Sequence, residues 1–165
     1  MSRARAAAGT IVFLVIAPGV VAGLVPWLLT GWEAHGWWPP VRVLGGLLIA
    51  AGLVVVLEAF ARFAVEGLGT PAPVAPTERL VVGGAYRYVR NPMYLAVGAL
   101  IAGQALLLGQ AGLLIYLAVF AATVAAFVHG YEEPVLARRY GSQYEAYRRA
   151  VPAWRPRVRP WDGYR

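Results

Sequence analysis

RNPMYLAVGALIAGQALLLGQAGLLIYLAVFAATVAAFVHGYEEP, residues 90–134, decides how this chain folds. Two apolar runs, Met93–Leu108 and Leu113–Val128, are joined only by Gly109-Gln110-Ala111-Gly112. Runs this apolar and this long read as helices, and so short a glycine-bounded joint predicts a tight antiparallel hairpin. The reversal puts the two polar ends, Arg90-Asn91-Pro92 and Tyr131-Glu132-Glu133-Pro134, on the same side.

Further apolar runs lie upstream at Thr10–Leu29 and Val41–Phe60. Spans need about 20 apolar residues to cross a bilayer. The expected fold is therefore all-α: a polytopic membrane protein of four transmembrane helices and a short cytoplasmic C-terminal helix. The expected organisation is a single membrane domain, 1–165, with a helix pair at 10–62 and a loop, hairpin and tail at 66–156. Pro18 and Pro26 predict kinks in the first span, Gly19-xxx-Gly23 a packing face, and Gln104 an interhelical hydrogen bond. Met1–Gly23 has the basic start and apolar core of a signal peptide. Its apolar run continues to Leu29, however, and cleavage would break the charge pattern.

Composition agrees. Of 165 residues 59% are hydrophobic and 14% charged, against about 25% charged in soluble domains. All 15 basic residues are arginine, against 8 acidic ones, for a net charge of +7. Fourteen arginines flank one side of the expected spans and only Arg42 the other. The positive-inside rule then places both termini and the central loop in the cytoplasm, of a bacterial inner membrane by the Arg/Ala/Gly/Pro bias. Trp27, Trp32, Trp37 and Trp38 cluster around the opposite loop, as an aromatic belt does. Basic chains also bind nucleic acid, but arginines flanking apolar runs favour membrane lipid as the partner. With no cysteine, disulfides, thiolate metal sites and a cysteine nucleophile are excluded.

The polar segments carry the candidate chemistry. In the loop Glu66–Pro92, Pro71, Pro73 and Pro76 predict a stiff extended half, and Leu80-Val81-Val82 an apolar patch resting on protein or lipid. Gly83-Gly84 permits a sharp turn or a close backbone approach. Asn91 is the expected N-cap of the third span, with Pro92 at its first position. Glu58 and Arg62 predict a local ion pair. In the tail, Gly141 predicts a helix stop and Ser142-Gln143-Tyr144-Glu145 a capping box that opens a helix to about Ala150. Tyr140, Tyr144 and Tyr147 then share a face. Glu132 and Glu133 have Arg138, Arg139 or the loop arginines as available ion-pair partners. His35 lies on the outer loop, and His129 at a helix end.

LVVGGAYRYVRNPMYL (80–95), followed after the hairpin by YEEPVLARRYGSQYEAYRRAVPAWRP (131–156), resembles the isoprenylcysteine carboxyl methyltransferase / phospholipid methyltransferase family. The resemblance covers roughly 67–156. The family's Tyr-x-x-x-Arg-His/Asn-Pro-x-Tyr pattern falls on Tyr86, Arg90, Asn91, Pro92 and Tyr94. Its Glu-Glu pair falls on Glu132 and Glu133, and its Phe/Tyr-Gly-x-x-Tyr-x-x-Tyr pattern on Tyr140, Gly141, Tyr144 and Tyr147. Asn91 stands where many members have histidine, and Ala85 where proline is frequent. The resemblance implies a membrane enzyme that binds S-adenosylmethionine and methylates a lipophilic small-molecule or lipidated acceptor, a prenylcysteine-like carboxylate or a lipid amine. The implied cofactor-binding residues are Tyr86, Arg90, Asn91, Tyr94, Leu95, Glu132, Glu133, Tyr140, Tyr144 and Tyr147. The candidate catalytic residues are Glu133, Arg138 and His129, with Arg87, Arg138 or Arg139 available to orient an anionic acceptor. No metal is implied. Two rivals are an NADPH-dependent enzyme resembling membrane sterol reductases, which are much longer, and a non-catalytic protein whose arginine-rich tail binds anionic lipid.

Overall fold

Helices account for nearly all the regular structure in the computed structural model, which describes residues 12–13, 16–66 and 79–163. The helices are α1 (Ile16–Thr30), α2 (Pro39–Val65), α3 (Pro92–Leu108), α4 (Gly112–Tyr140) and α5 (Ser142–Ala150). Arg3, Arg5, Arg165, the Pro71/Pro73/Pro76 stretch, the start of the first expected span and most of the signal-peptide reading lie outside the described residues.

Two of the expected spans sit on helices long and apolar enough to cross a membrane, within Pro39–Phe63 and Gly112–Tyr140. The other two, α1 and α3, are apolar but shorter. Only 28% and 11% of the two long apolar windows are buried within the protein, so most of their apolar side chains face outward. That is the inverse of a soluble core and suits a hydrocarbon solvent.

Two prolines inside helices, Pro26 and Pro134, each follow a π turn. Val20–Leu24 precedes Pro26, and Val128–Glu132 precedes Pro134. Pro26 has no N–H, so it cannot serve Ala22 O four residues back or Val21 O five back. Side chains from the hairpin serve them: Gln104 Nε2 donates to Ala22 O at 2.7 Å and the Tyr116 hydroxyl to Val21 O at 2.8 Å. The interhelical bond expected of Gln104 is thus present, and its acceptor is a carbonyl that proline leaves open. The fourth expected span also runs on past Val128, because the π turn carries α4 through Pro134 to Tyr140.

Gly23 of the expected Gly19-xxx-Gly23 face makes no close packing contact. A Cβ on Gly23 would meet nothing within 4 Å. The close approach joins α2 to α3 instead. A Cβ on Gly45 would stand 2.5 Å from Leu107 N and 2.6 Å from Gly103 O, and one on Gly52 would stand 2.9 Å from Ala96 O. Below this seam Val56, Phe60, Val97, Leu100 and Ile101 form the buried core. At the tryptophan-rich end, His35 N–H donates to Leu108 O at 2.8 Å and Trp37 Nε1 to Leu106 O at 2.8 Å, which closes the α1–α2 loop on the hairpin turn.

The Gly109 turn (φ 70°) makes the expected hairpin joint. Gly141 (φ 53°) stops α4, and α5 follows over the expected residues. The capping box is absent. Gly141, not Ser142, is the N-cap and no side chain caps the helix; Glu145 pairs with Arg148 at 3.4 Å instead. Glycine in a conformation closed to serine fixes the entry to α5, so Ser142 is already inside the helix.

Gly45→Ala should destabilise the protein by about 1–3 kcal/mol, because its methyl group meets backbone that cannot give. Gly23→Ala should cost nothing. Thermal unfolding in detergent checks both.

Candidate functional site

The loop after α2 and the end of α4 come together through complementary charge. Arg90 Nη1 donates to Glu133 Oε1 at 2.7 Å and to the Tyr144 hydroxyl at 3.0 Å, so one guanidinium ties the loop, α4 and α5 together. Both partners of the ion pair are nearly buried, at 12% and 13% side-chain exposure. Removing either would leave a charge uncompensated in a low dielectric. Next along the chain, the Tyr94 hydroxyl donates to Glu132 Oε2 at 3.0 Å. The loop arginine Arg90 is thus the arginine shown pairing with Glu133, while Glu132 accepts from Tyr94.

Asn91 is the N-cap of α3 with Pro92 following, as expected, but its side chain does not cap the helix. Asn91 Nδ2 donates to Ala153 O at 3.1 Å instead. The tail beyond α5 runs back along the loop. Arg90 N–H donates to Pro152 O, Arg157 N–H to Tyr88 O and Trp161 N–H to Arg87 O. Arg87 Nε donates to Trp161 O at 2.7 Å and its guanidinium pairs with Asp162, so Arg87 holds the tail. The buried Tyr147 hydroxyl donates to Tyr86 O at 2.7 Å. Leu80 and Val82 rest on Tyr144, Tyr147 and Val151, while Val81 packs with Ala59 and Tyr86, so the apolar patch lies on protein.

These contacts border an open-sided cavity of about 450 Å³ with two kinds of wall. The polar wall contains Tyr86, Arg90, Asn91, Tyr94, Glu132, Glu133, Arg139, Tyr140, Tyr144 and Tyr147. The apolar wall contains Phe13, Pro18 and Val21 from the first helical segment, Val97 from α3, and Phe120 and Phe127 from α4. Arg90 Nε is buried with no hydrogen-bond partner. Burial raises the phenol pKa of Tyr86 well above its ordinary value. Burial also raises that of Tyr144, although Arg90 pulls the other way. Both hydroxyls therefore stay protonated and neutral around pH 7.

Nine of the ten residues expected to hold a cofactor line this one cavity; Leu95 does not. Arg138 is exposed and outside it. His129 is 90% exposed, with Nδ1 3.9 Å from Glu133 Oε2, and also outside the lining. The first helical segment gave no motif, yet it supplies part of the apolar wall. Only the apolar character of that run could have pointed to it. Among the described residues no group of histidine, aspartate and glutamate could hold a metal.

Residues 41–143 match the family described as phospholipid methyltransferase. The match takes in α2, the hairpin and the glutamate pair, and ends before Tyr144 and Tyr147. No curated protein and no solved structure matches the chain.

Asn91→Ala should free the tail without unseating Arg90. Limited proteolysis should then cut more readily near 153–161, and stability should fall by about 1–2 kcal/mol, one buried amide bond.

Proposed function

The chain belongs to the phospholipid methyltransferase family, a family of S-adenosylmethionine-dependent membrane methyltransferases acting on phospholipid-like acceptors, and from this we propose how its residues divide the work. The cofactor supplies an electrophilic methyl group on a sulfonium, together with a carboxylate, an ammonium and a ribose diol. The polar wall fits that inventory. Its volume lies within the ordinary range for small-molecule sites. Arg90, with its unpartnered Nε, takes the carboxylate. Glu133 accepts from the ammonium or the ribose hydroxyls. The rings of Tyr86, Tyr140, Tyr144 and Tyr147 surround the sulfonium by cation–π contact. The observation that carries this reading is the convergence of Arg90, Glu133 and Tyr144 on one cavity from three separate segments.

The apolar wall takes the acceptor's hydrocarbon part, which enters from the bilayer. The site end faces the cytoplasm, the side where the arginines concentrate. Of the two acceptor chemistries, a lipid amine fits better than a prenylcysteine-like carboxylate. Glu132 lines the cavity and forms no ion pair among the described residues. A carboxylate acceptor would be repelled there, while an ammonium headgroup would be attracted. Glu132 then takes the proton that the ammonium must lose before its nitrogen can form the new bond to carbon. Most of the remaining catalysis is alignment and exclusion of water. Arg138 and His129, outside the cavity, touch neither substrate in this reading.

Calorimetry with S-adenosylmethionine or its demethylated product tests the cofactor half. Arg90→Ala and Glu133→Ala should each weaken binding at least about tenfold, the scale of one lost charge-assisted contact; unchanged affinity in both overturns the assignment. Glu132→Gln should keep the affinity and lose methyl transfer to phosphatidylethanolamine vesicles. Faster labelling of a farnesylated cysteine than of those vesicles would point to the carboxylate acceptor instead.

A further inference from the structure

Three charged side chains outside the cavity remain unexplained by this chemistry: Glu58, Arg62 and Glu66, on the last two turns of α2 and at its C-cap. Arg62 Nε donates to Glu58 Oε1 at 2.8 Å and Arg62 Nη1 to Glu66 Oε1 at 2.6 Å. The ion pair expected of Glu58 and Arg62 is present, but it is half of a longer ladder. Surface pairs of this kind contribute little stability, and Arg62 keeps 42% of its side chain exposed.

The ladder's free oxygens look elsewhere. Glu66 Oε2 accepts from Gly83 N–H at 3.1 Å, and Glu58 Oε2 from Ala85 N–H at 3.4 Å. Arg62 therefore fixes two carboxylates, and each carboxylate grips one amide of the loop that leads into the cavity. The glycine pair is what lets the loop come so close. A Cβ on Gly83 would collide with the Glu66 carboxylate and one on Gly84 with that of Glu58. Gly84 also has φ +54°, whereas Gly83, at φ −82°, has a backbone any residue can adopt. The grip falls on the residue before and a residue within the 3₁₀ turn Gly84–Arg87, which carries the buried Tyr86 into the cavity wall and Arg87 onto the tail. Arg90 follows three residues later.

We propose that Glu58, Arg62 and Glu66 are positioning residues for the methyl-donor site: they clamp the Gly83–Ala85 backbone and so set where Tyr86 and Arg90 stand. None of the three lines the cavity, so they act only through the loop. This inference rests on the donor-site reading above. It predicts that damage at Gly83 and at Glu66 is one event, not two.

The test is a double-mutant cycle read by calorimetry with the demethylated donor, with thermal unfolding in detergent alongside. Gly83→Ala and Glu66→Ala should each weaken donor binding about tenfold. The double variant should be no weaker than Glu66→Ala, because the methyl group now has no carboxylate to meet. Glu66→Gln, which keeps an oxygen for Gly83 N–H, should fall between wild type and Glu66→Ala. Hydrogen exchange at the Gly83 and Ala85 amides should quicken in Glu66→Ala and Glu58→Ala respectively while α3 stays protected. Losses that simply multiply in the double variant, or unchanged donor affinity in all the single variants, overturn the clamp and leave the donor site standing. A wild-type protein that fails to bind the donor overturns both.

Discussion

Arg90 and Glu133 are 43 residues apart, and the ion pair between them is what makes one site out of two segments. An arginine and a glutamate that are almost buried cannot be left singly in a low dielectric. Each therefore obliges the other to be present. The rest of the site is arranged around that obligation. Tyr144 adds a second acceptor to the guanidinium, the tail covers the loop backbone, and Tyr147 closes on Tyr86. The aromatic residues that remain have little choice but to line what is left open.

The membrane part of the chain sets the frame in which this pair forms. α2 and α3 approach until backbone meets backbone at Gly45 and Gly103, which fixes how the loop end of α2 stands over the start of α3. The hairpin turn at Gly109 then returns α4 to the same end. Apolar contact sustains this arrangement, yet most of the apolar surface of α2 and α4 points outward. The cavity inherits the division: one wall is made of helix flanks suited to hydrocarbon, the other of loop and tail suited to a charged nucleoside. A membrane methyltransferase needs both, since its two substrates come from different solvents.

Much of this was legible in the sequence because its signals are local or compositional. The apolar runs, the glycine stops at 109 and 141, the Asn-Pro start of α3 and the short tail helix each depend on a few neighbouring residues. The motif-bearing residues were legible as a set because the resemblance fixed their order around a hairpin. What the sequence hid was distal. Nothing near Asn91 says that its amide reaches Ala153 rather than its own helix, and nothing near Gly45 names Gly103 as its partner. The capping box failed for a related reason: Ser142 and Glu145 have the right spacing, but the Gly141 backbone decides where the helix begins. The apolar wall from the first helical segment was hidden as well, since phenylalanine, proline and valine in a greasy run look the same whether they face lipid, a neighbour or a cavity.

The π turn ahead of Pro26 has a consequence for biogenesis. Two carbonyls of α1 depend on donors that stand far downstream, Gln104 for Ala22 and Tyr116 for Val21, at separations of 82 and 95 residues. During synthesis α1 leaves the ribosome long before either donor exists. Until the hairpin folds against it, these two oxygens lack their side-chain donors. The hairpin, made last, thus completes the hydrogen bonding of the first helix, and the bundle is finished from its C-terminal half backward.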